Sequence, residues 1–371
     1  MATPAIDRLD TLLSDAFGGR VRIVGAEPIP PWSVMRCALD GGGDAPSSVI
    51  VKWLREDPKG FRVDPRQVAS ERAALEFLKA IGFSAAPRVI AADLQAAVLV
   101  LEDVGGTPLA DLIRRDGPDA HAEDLLSFAR AAGALGAATA GLEADYATIR
   151  ARYGVPDRAV GRARGLGPAW PATRVRLAAL GLPLDGEASA ELAEVEHAIL
   201  APGAFLALTS GDAHPNNVLC GAGGSRLIDF EAADYRHALV SAVWIHVPGP
   251  AWITVDHPRN AALEEAFRSA LAAGIAEAED NVLFGGGMAA VCLAEACDRL
   301  ARFPVLDARA PGDASRVQMV ATLEAGARAA RRHRAMPELA GWCERAAAWL
   351  RRRWPDADLD LAAYSAYAPR A

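Results

Sequence analysis

Paired cysteines are missing from this 371-residue sequence. Its five cysteines (Cys37, Cys220, Cys292, Cys297 and Cys343) are scattered, odd in number and without a Cys-x-x-Cys pair. That argues against a disulfide framework and reads as reduced thiols in a cytoplasmic protein. Excess positive charge is missing too. With 39 Lys and Arg against 47 Asp and Glu, the formal net charge is −8, so electrostatic capture of nucleic acid is not expected. No basic-then-apolar leader opens the chain. The most apolar segment, His237 to Val255, is broken at Pro248 and Pro250, so no membrane span is expected. No internal repeat is present.

What remains is a globular composition, 51% hydrophobic and 23% charged, in a chain long enough for two lobes. Its organising stretch is Ser210-Gly211-Asp212-Ala213-His214-Pro215-Asn216-Asn217-Val218-Leu219, followed by Leu227-Ile228-Asp229-Phe230-Glu231. Phe205–Leu208, Val218-Leu219 and Leu227-Ile228 read as short strands, with a Gly-rich hairpin turn from Gly221 to Ser225. Asp212, Asn217 and Asp229 then fall on loops or strand ends, close in space. An aspartate can accept the proton of a hydroxyl nucleophile. One carboxylate and one amide oxygen suit magnesium, a hard cation, and leave room for phosphate and water. The alternative is a pair of capped turns in which Asp and Asn serve turn chemistry alone.

These residues resemble the Gly-Asp-x-His-x-x-Asn loop and Ile-Asp-Phe motif of the aminoglycoside phosphotransferase and choline kinase group. Those proteins are small-molecule kinases with a protein-kinase-like fold. The resemblance implies an α+β, bilobal architecture: a small antiparallel-sheet N-lobe, residues 1–104, and a larger, mainly helical C-lobe, residues 105–371. It implies ATP and Mg²⁺ between the lobes, Asp212 as catalytic base, and Asn217 and Asp229 as magnesium ligands. It also makes Lys52 the lysine that holds nucleotide phosphates, with Glu71 as its partner. The sequence departs from the family pattern at Ser210, where a histidine is usual, and in the segment Pro30 to Met35, which has no glycine.

In chain order, residues 1–20 read as a helix with Leu9, Leu12, Leu13 and Phe17 on one face. Val21 to Leu39 reads as two strands around a turn at Pro28 to Pro31. Ser33 is the candidate phosphate contact there; an ordinary hairpin is the alternative. Ser48 to Leu54 is a β-branched, apolar strand in which Lys52 is the only charge. A buried lysine needs an anionic partner; otherwise it points to solvent. Pro65 to Ile81 reads as a helix, with Glu71, Ala74, Leu75 and Leu78 on one face. Strands at Ala86–Ala91 and Ala97–Leu101 lead to Glu102-Asp103-Val104-Gly105-Gly106, a hinge at which Glu102 and Val104 are the candidate nucleotide contacts.

Thereafter the chain reads as helical. Thr107 is expected to cap a helix with Pro108 at its first position. Ala122 to Leu142 is one long helix, and Gly154 to Asp185 an insertion or mobile connection. Glu187 to Leu200 is a helix, and Glu231 to His237 runs toward another. Leu263 to Ala273, Asn281 to Ala301 and Ala314 to Arg353 complete the helical set, with the arginine clusters at 331–332 and 351–353 read as solvated faces. The acceptor is expected to be a small molecule, and oligomeric state is not readable. Candidate acceptor contacts are Glu231, Asp234, His246, Trp252 and Glu295, with core or surface packing as the alternative for each. His246 has no partner at metal-ligand spacing in the sequence. Two other functions stay open: an inactive nucleotide-binding homologue, and nucleotidyl transfer on the same fold.

Overall fold

The computed structural model describes residues 4–29, 33–42, 45–54, 66–154, 166, 169–184, 186–248, 258–312 and 314–357. Trp252 and the loop tip at 30–32 lie outside them.

Helix α1 (Ile6–Phe17) places Leu9 and Leu13 one turn apart, and both are buried. They pack on one face of a five-stranded antiparallel sheet made of β1 (Val21–Pro28), β2 (Val34–Gly41), β3 (Ser48–Trp53), β4 (Val89–Asp93) and β5 (Val98–Glu102), in the order β1-β2-β3-β5-β4. Side chains alternate along a strand. Val49 and Val51 therefore join Met35, Cys37, Val98 and Val100 under α1, while Ile50 and Lys52 face the other way. On that second face lies α2 (Arg66–Ala80), whose Glu71, Ala74, Leu75 and Leu78 are all buried. The strand period and the helix period together aim Lys52 at Glu71.

After β5 the chain is pinned by Asp103. Its carboxylate accepts hydrogen bonds from Arg36 Nε at 2.8 Å, Ser48 Oγ at 2.8 Å and Gly105 N at 3.1 Å. Gly106 follows with φ 87°, and a Cβ there would lie 2.6 Å from the Cys220 carbonyl oxygen, so only glycine fits. The expected cap at Thr107 is not formed. Thr107 and Pro108 make a short strand, β6 (Thr107–Pro108), paired with β8 (Val218–Gly221); α3 (Leu109–Asp116) starts afterwards, with Pro108 at its cap.

The C-lobe continues with α4 (Ala122–Thr139), α5 (Glu143–Arg152), α6 (Trp170–Ala179) and α7 (Gly186–Leu200). The stretch that carries Asp212, Asn217 and Asp229 is β7 (Leu206–Thr209), β8, β9 (Gly224–Leu227) and β10 (Asp234–His237), followed by a 3₁₀ helix at Ala238–Ile245. The remaining helices are α8 (Asn260–Ala272), α9 (Asn281–Arg299), α10 (Phe303–Asp307), α11 (Ala314–Arg332) and α12 (Pro337–Arg353). One core runs from α2 and β5 through α4, β7 and β10 to α8, and joins the lobes; a second is built by α7, α9, α11 and α12. This is the bilobal, protein-kinase-like α+β fold expected from the motifs.

Several local expectations are corrected. The long helix from Ala122 stops at Thr139, and the chain bends by 88° into α5. The segment expected as an insertion or mobile connection holds a helix, α6, at its described end. Residues 234–237 form a strand before the chain enters the 3₁₀ helix at Ala238, because β7 needs a partner: Asp234 pairs with Thr209, and His237 with Leu206. The last helical stretch is two helices, turned where Arg334 and Met336 adopt positive φ of 54° and 51°. Its arginine clusters are mostly exposed, as expected, and still pair across elements: Arg331 Nε lies 2.6 Å from Glu344, Arg353 Nη2 2.7 Å from Asp307, and Arg351 pairs with Glu324. No single helix among the described residues is long and apolar enough to cross a membrane.

Candidate active site

The loop after β7 is built on a glycine. Gly211 has φ 85°, and a Cβ there would lie 2.2 Å from the Ala232 carbonyl oxygen. This close approach and the left-handed backbone turn the next residue, Asp212, outward. Pro215–Asn217 then forms a 3₁₀ turn, closed by the Asn217 N–H donating to the His214 carbonyl at 2.8 Å. The Asn217 side-chain amide donates to the Asp212 carbonyl and to Asp212 Oδ2, both at 3.0 Å. That fixes Asp212 and turns the Asn217 amide oxygen away from it.

Asp229 reaches the same place through the hairpin. Val218 pairs with Leu227, and the Ile228 N–H donates to the Asn217 carbonyl at 3.0 Å, so Asp229 follows directly beside Asn217. Asp229 has φ 67°, a conformation uncommon for a non-glycine residue and costly unless its surroundings hold it. Two contacts hold it. Lys52 Nζ lies 2.9 Å from Asp229 Oδ1, and the next residue, Phe230, donates its N–H to Glu71 Oε1 at 3.2 Å. Lys52 Nζ also lies 2.6 Å from Glu71 Oε2. Burial alone would lower the Lys52 pKa. The carboxylates of Glu71 and Asp229 outweigh it and hold the pKa above the ordinary value, so the amine stays charged. Burial presses the Glu71 carboxyl upward, opposed by the Lys52 ammonium and the Phe230 N–H.

At the hinge, the Glu102 side chain is taken up by Arg88, accepting from its backbone N and from Nε, each at 3.1 Å. The Glu102 N–H donates to the Arg88 carbonyl at 2.9 Å. Val104 is half-buried between Asp103 and Gly105, both engaged in the Asp103 clamp. Ser33 stands at the base of the β1–β2 turn, where its carbonyl accepts from the Trp53 N–H at 3.1 Å.

A cavity of about 370 Å³ opens beside Asp212. Glu295, on α9, lines it, as do His214, Arg236, Trp244 and Arg299. Three predicted acceptor contacts are not among its lining residues. Asp234 is buried and ion-paired with Arg150 at 3.0 Å; the β7–β10 pairing turns it into the core. Glu231 is half-buried beside Phe230. His246 is buried behind the wall and lies 2.6 Å from Glu264 Oε2, which His333 also approaches, at 3.1 Å. Sequence spacing hides this trio, whose members come from the end of the 3₁₀ helix, α8 and the residue after α11. Burial opposes ionisation of Glu264, but the two imidazoles outweigh it and hold the carboxyl below its usual range. Trp252 lies outside the described residues.

The donor set suits magnesium: an amide oxygen on Asn217 and a carboxylate on Asp229 are both hard oxygen ligands. A charged lysine stands beside them for phosphate, and a fixed carboxylate, Asp212, faces the cavity. The arrangement can orient a hydroxyl against a polyphosphate chain. Residues that brace it escaped the sequence reading. Tyr235 donates its hydroxyl to the Thr139 carbonyl at 2.7 Å, and Thr139 Oγ1 accepts from the Leu208 N–H at 3.0 Å, tying α4 to β7 and β10. Arg150 performs the same service through Asp234.

A family model described as a phosphotransferase enzyme family, APH, matches residues 40–280, a span from β2 to the residue before α9. Among solved structures, a macrolide 2'-phosphotransferase from Brachybacterium faecium is 18% identical, with 82% of this chain and 99% of that chain covered and a TM-score of 0.43. A choline kinase from Cryptosporidium parvum is 12% identical, covering 89% and 93%, with a TM-score of 0.47. A choline/ethanolamine kinase family protein from Mesorhizobium loti is 14% identical, covering 93% and 99%, with a TM-score of 0.42. No curated protein sequence matches. With the family match spanning more than half of the chain and both the hinge and the Asp212–Asp229 stretch inside it, this chain belongs to the APH phosphotransferase enzyme family.

Proposed function

We propose that the protein transfers the γ-phosphoryl group of ATP to a hydroxyl of a small molecule, with magnesium bound at Asn217 and Asp229. The observation that carries this reading is the junction at Lys52, which joins β3, α2 and the Asp229 turn through contacts of 2.6 and 2.9 Å. Three segments distant in sequence converge there on groups that suit a nucleotide polyphosphate.

In this reading Lys52 binds the α- and β-phosphates, and Glu71 positions Lys52. Asp212 accepts the acceptor's hydroxyl proton. The acceptor oxygen bonds to the γ-phosphorus as the bond from phosphorus to the bridging oxygen breaks, and ADP leaves. Magnesium supplies neutralisation of phosphate charge. Catalysis is then mostly positioning and electrostatic stabilisation. Val104 offers its backbone to the adenine edge, since the Glu102 and Gly105 N–H groups are already spent. The proposed lobe boundary lies between Val104 and Gly105, dividing 1–104 from 105–371.

Intact-mass analysis of acceptors incubated with ATP and magnesium tests the reaction. A gain of one phosphate supports it. A gain of a nucleotide assigns nucleotidyl transfer instead, and no change over a broad panel of alcohols favours a non-catalytic nucleotide binder.

A further inference from the structure

The cavity beside Asp212 has two kinds of wall. One is apolar: Ile199, Val240, Val243, Trp244, Val247 and Val291 line it. Trp244 is fixed from behind by Phe128, stacked at 4.3 Å between ring centroids and 18° between planes. The other wall carries charge in balance. Glu295, Asp298 and Arg299, all from α9, and Arg236, from β10, line the cavity together. Glu295 is committed to Arg299, Oε1 to Nε at 2.7 Å, and Asp298 has a partner as well. His237 adds little positive charge, since burial pushes its pKa down to about 4. Among the described lining residues, the net negative charge is therefore that of Asp212, the group assigned to the acceptor's hydroxyl. Capture of a polycation calls for several carboxylates not already neutralised by the protein.

We infer that this cavity takes an uncharged acceptor with a substantial apolar body, which lies on the Val243–Trp244 wall and presents its hydroxyl to Asp212. The inference rests on the phosphotransferase reading above and adds the acceptor's chemical class. The reaction is the same transfer: the new bond joins the acceptor oxygen to the γ-phosphorus, Asp212 takes the proton, and ADP departs. A cavity of about 370 Å³ is within the range of sites that enclose most of a drug-sized molecule.

The test uses the full-length protein with ATP and magnesium, and two sets of probes below their micellar concentrations. One set is alkyl β-glucosides from methyl to octyl, uncharged and differing only in apolar length. The other is an aminocyclitol with four ammonium groups and the 2-amino counterpart of the octyl compound. The expected result is a rise in kcat/KM of about two- to four-fold per methylene until the cavity is full, with the amino compounds poorer than their uncharged counterparts. Val243→Asp, confirmed as folded by circular dichroism, is expected to flatten the series, and Val240→Asp serves if it does not fold. A series flat in the wild type, or preference for the tetra-ammonium probe, would overturn the inference. If magnesium-ATP binds by calorimetry but no probe is phosphorylated, the acceptor class is wrong and the nucleotide site stands. If magnesium-ATP does not bind, the phosphotransferase reading fails and this inference fails with it.

Discussion

Lys52 and Asp229 are separated by 177 positions in sequence and by 2.9 Å in space. One ends a strand of the N-lobe sheet; the other occupies a left-handed turn of the C-lobe. Glu71 completes the set from α2, and its second oxygen holds the backbone of Phe230. Replacing Lys52 with methionine is expected to lower kcat/KM by about 10²- to 10³-fold, the range for losing one charge-stabilising donor. It also leaves the buried Glu71 without its cation, at a cost of about 3 kcal/mol or more in stability. Steady-state kinetics and denaturant unfolding read the two effects separately. Wild-type activity in Lys52→Met would remove the lysine from the site.

Asp212 is braced by Asn217 and exposed to the cavity. Asp212→Asn keeps the size of the side chain and removes its basicity. The expected outcome is a fall in kcat of about 10²- to 10⁴-fold, typical of losing a general base, with nucleotide affinity within a few-fold of wild type. A large loss of nucleotide affinity with kcat intact would assign Asp212 to binding instead.

Gly211→Ala places a methyl group where the Ala232 carbonyl stands, in a backbone region that an L-residue adopts at about 1–2 kcal/mol. The loop must shift, and Asp212 and Asn217 shift with it. The variant should fold with a lowered Tm and lose most of its turnover. Retention of full kcat would mean that the loop geometry is not what sets the base.

Asp234 is buried and paired with Arg150 at 3.0 Å. Arg150→Met should destabilise by about 3–5 kcal/mol, since it leaves a buried carboxylate unpaired, and pairing it with Asp234→Leu should restore much of that loss. Turnover per folded molecule in the double variant should stay near wild type. A selective rise in the acceptor KM would return Asp234 to the substrate site.

His237 gives stability a pH dependence. It is buried, its ring is stacked on Phe205 at 5.3 Å, and its pKa is pushed down to about 4 by burial. The unfolded chain binds the proton near pH 6.5, so between about 6.5 and 4 the unfolded state holds more protons than the native state. The contribution is complete above the unfolded pKa and is lost as pH falls through that window, up to about 3 kcal/mol in all. Denaturant melts at pH 7 and pH 4.5 should show the drop, and His237→Phe should reduce it. An unchanged slope in the variant would place the acid sensitivity elsewhere.

The site was legible where local periodicity did the pointing. Alternation in β3 isolates Lys52, helical spacing in α2 puts Glu71 on the buried face, and the short apolar runs around Asp212, Asn217 and Asp229 force them to strand ends. Legibility ended where a partner far along the chain decides the outcome. Asp234 and His246 are polar residues near the motif, and proximity in sequence suggested the acceptor. Arg150 and Glu264 claim them instead, from helices whose local pattern gives no hint of it. Strand β10 has the same origin: Asp234 to His237 forms a strand only because β7 lies beside it. Thr107 looked like a cap because a proline follows, but pairing with Cys220 claimed it first.

The most direct test of the central claim is calorimetric titration of ATP into the wild type and Asp229→Ala, each with and without magnesium. The account predicts binding in the wild type that is strengthened by magnesium, and loss of that strengthening in Asp229→Ala. Equal binding with and without magnesium in both proteins, or no binding of ATP or GTP to a folded wild type, would contradict it.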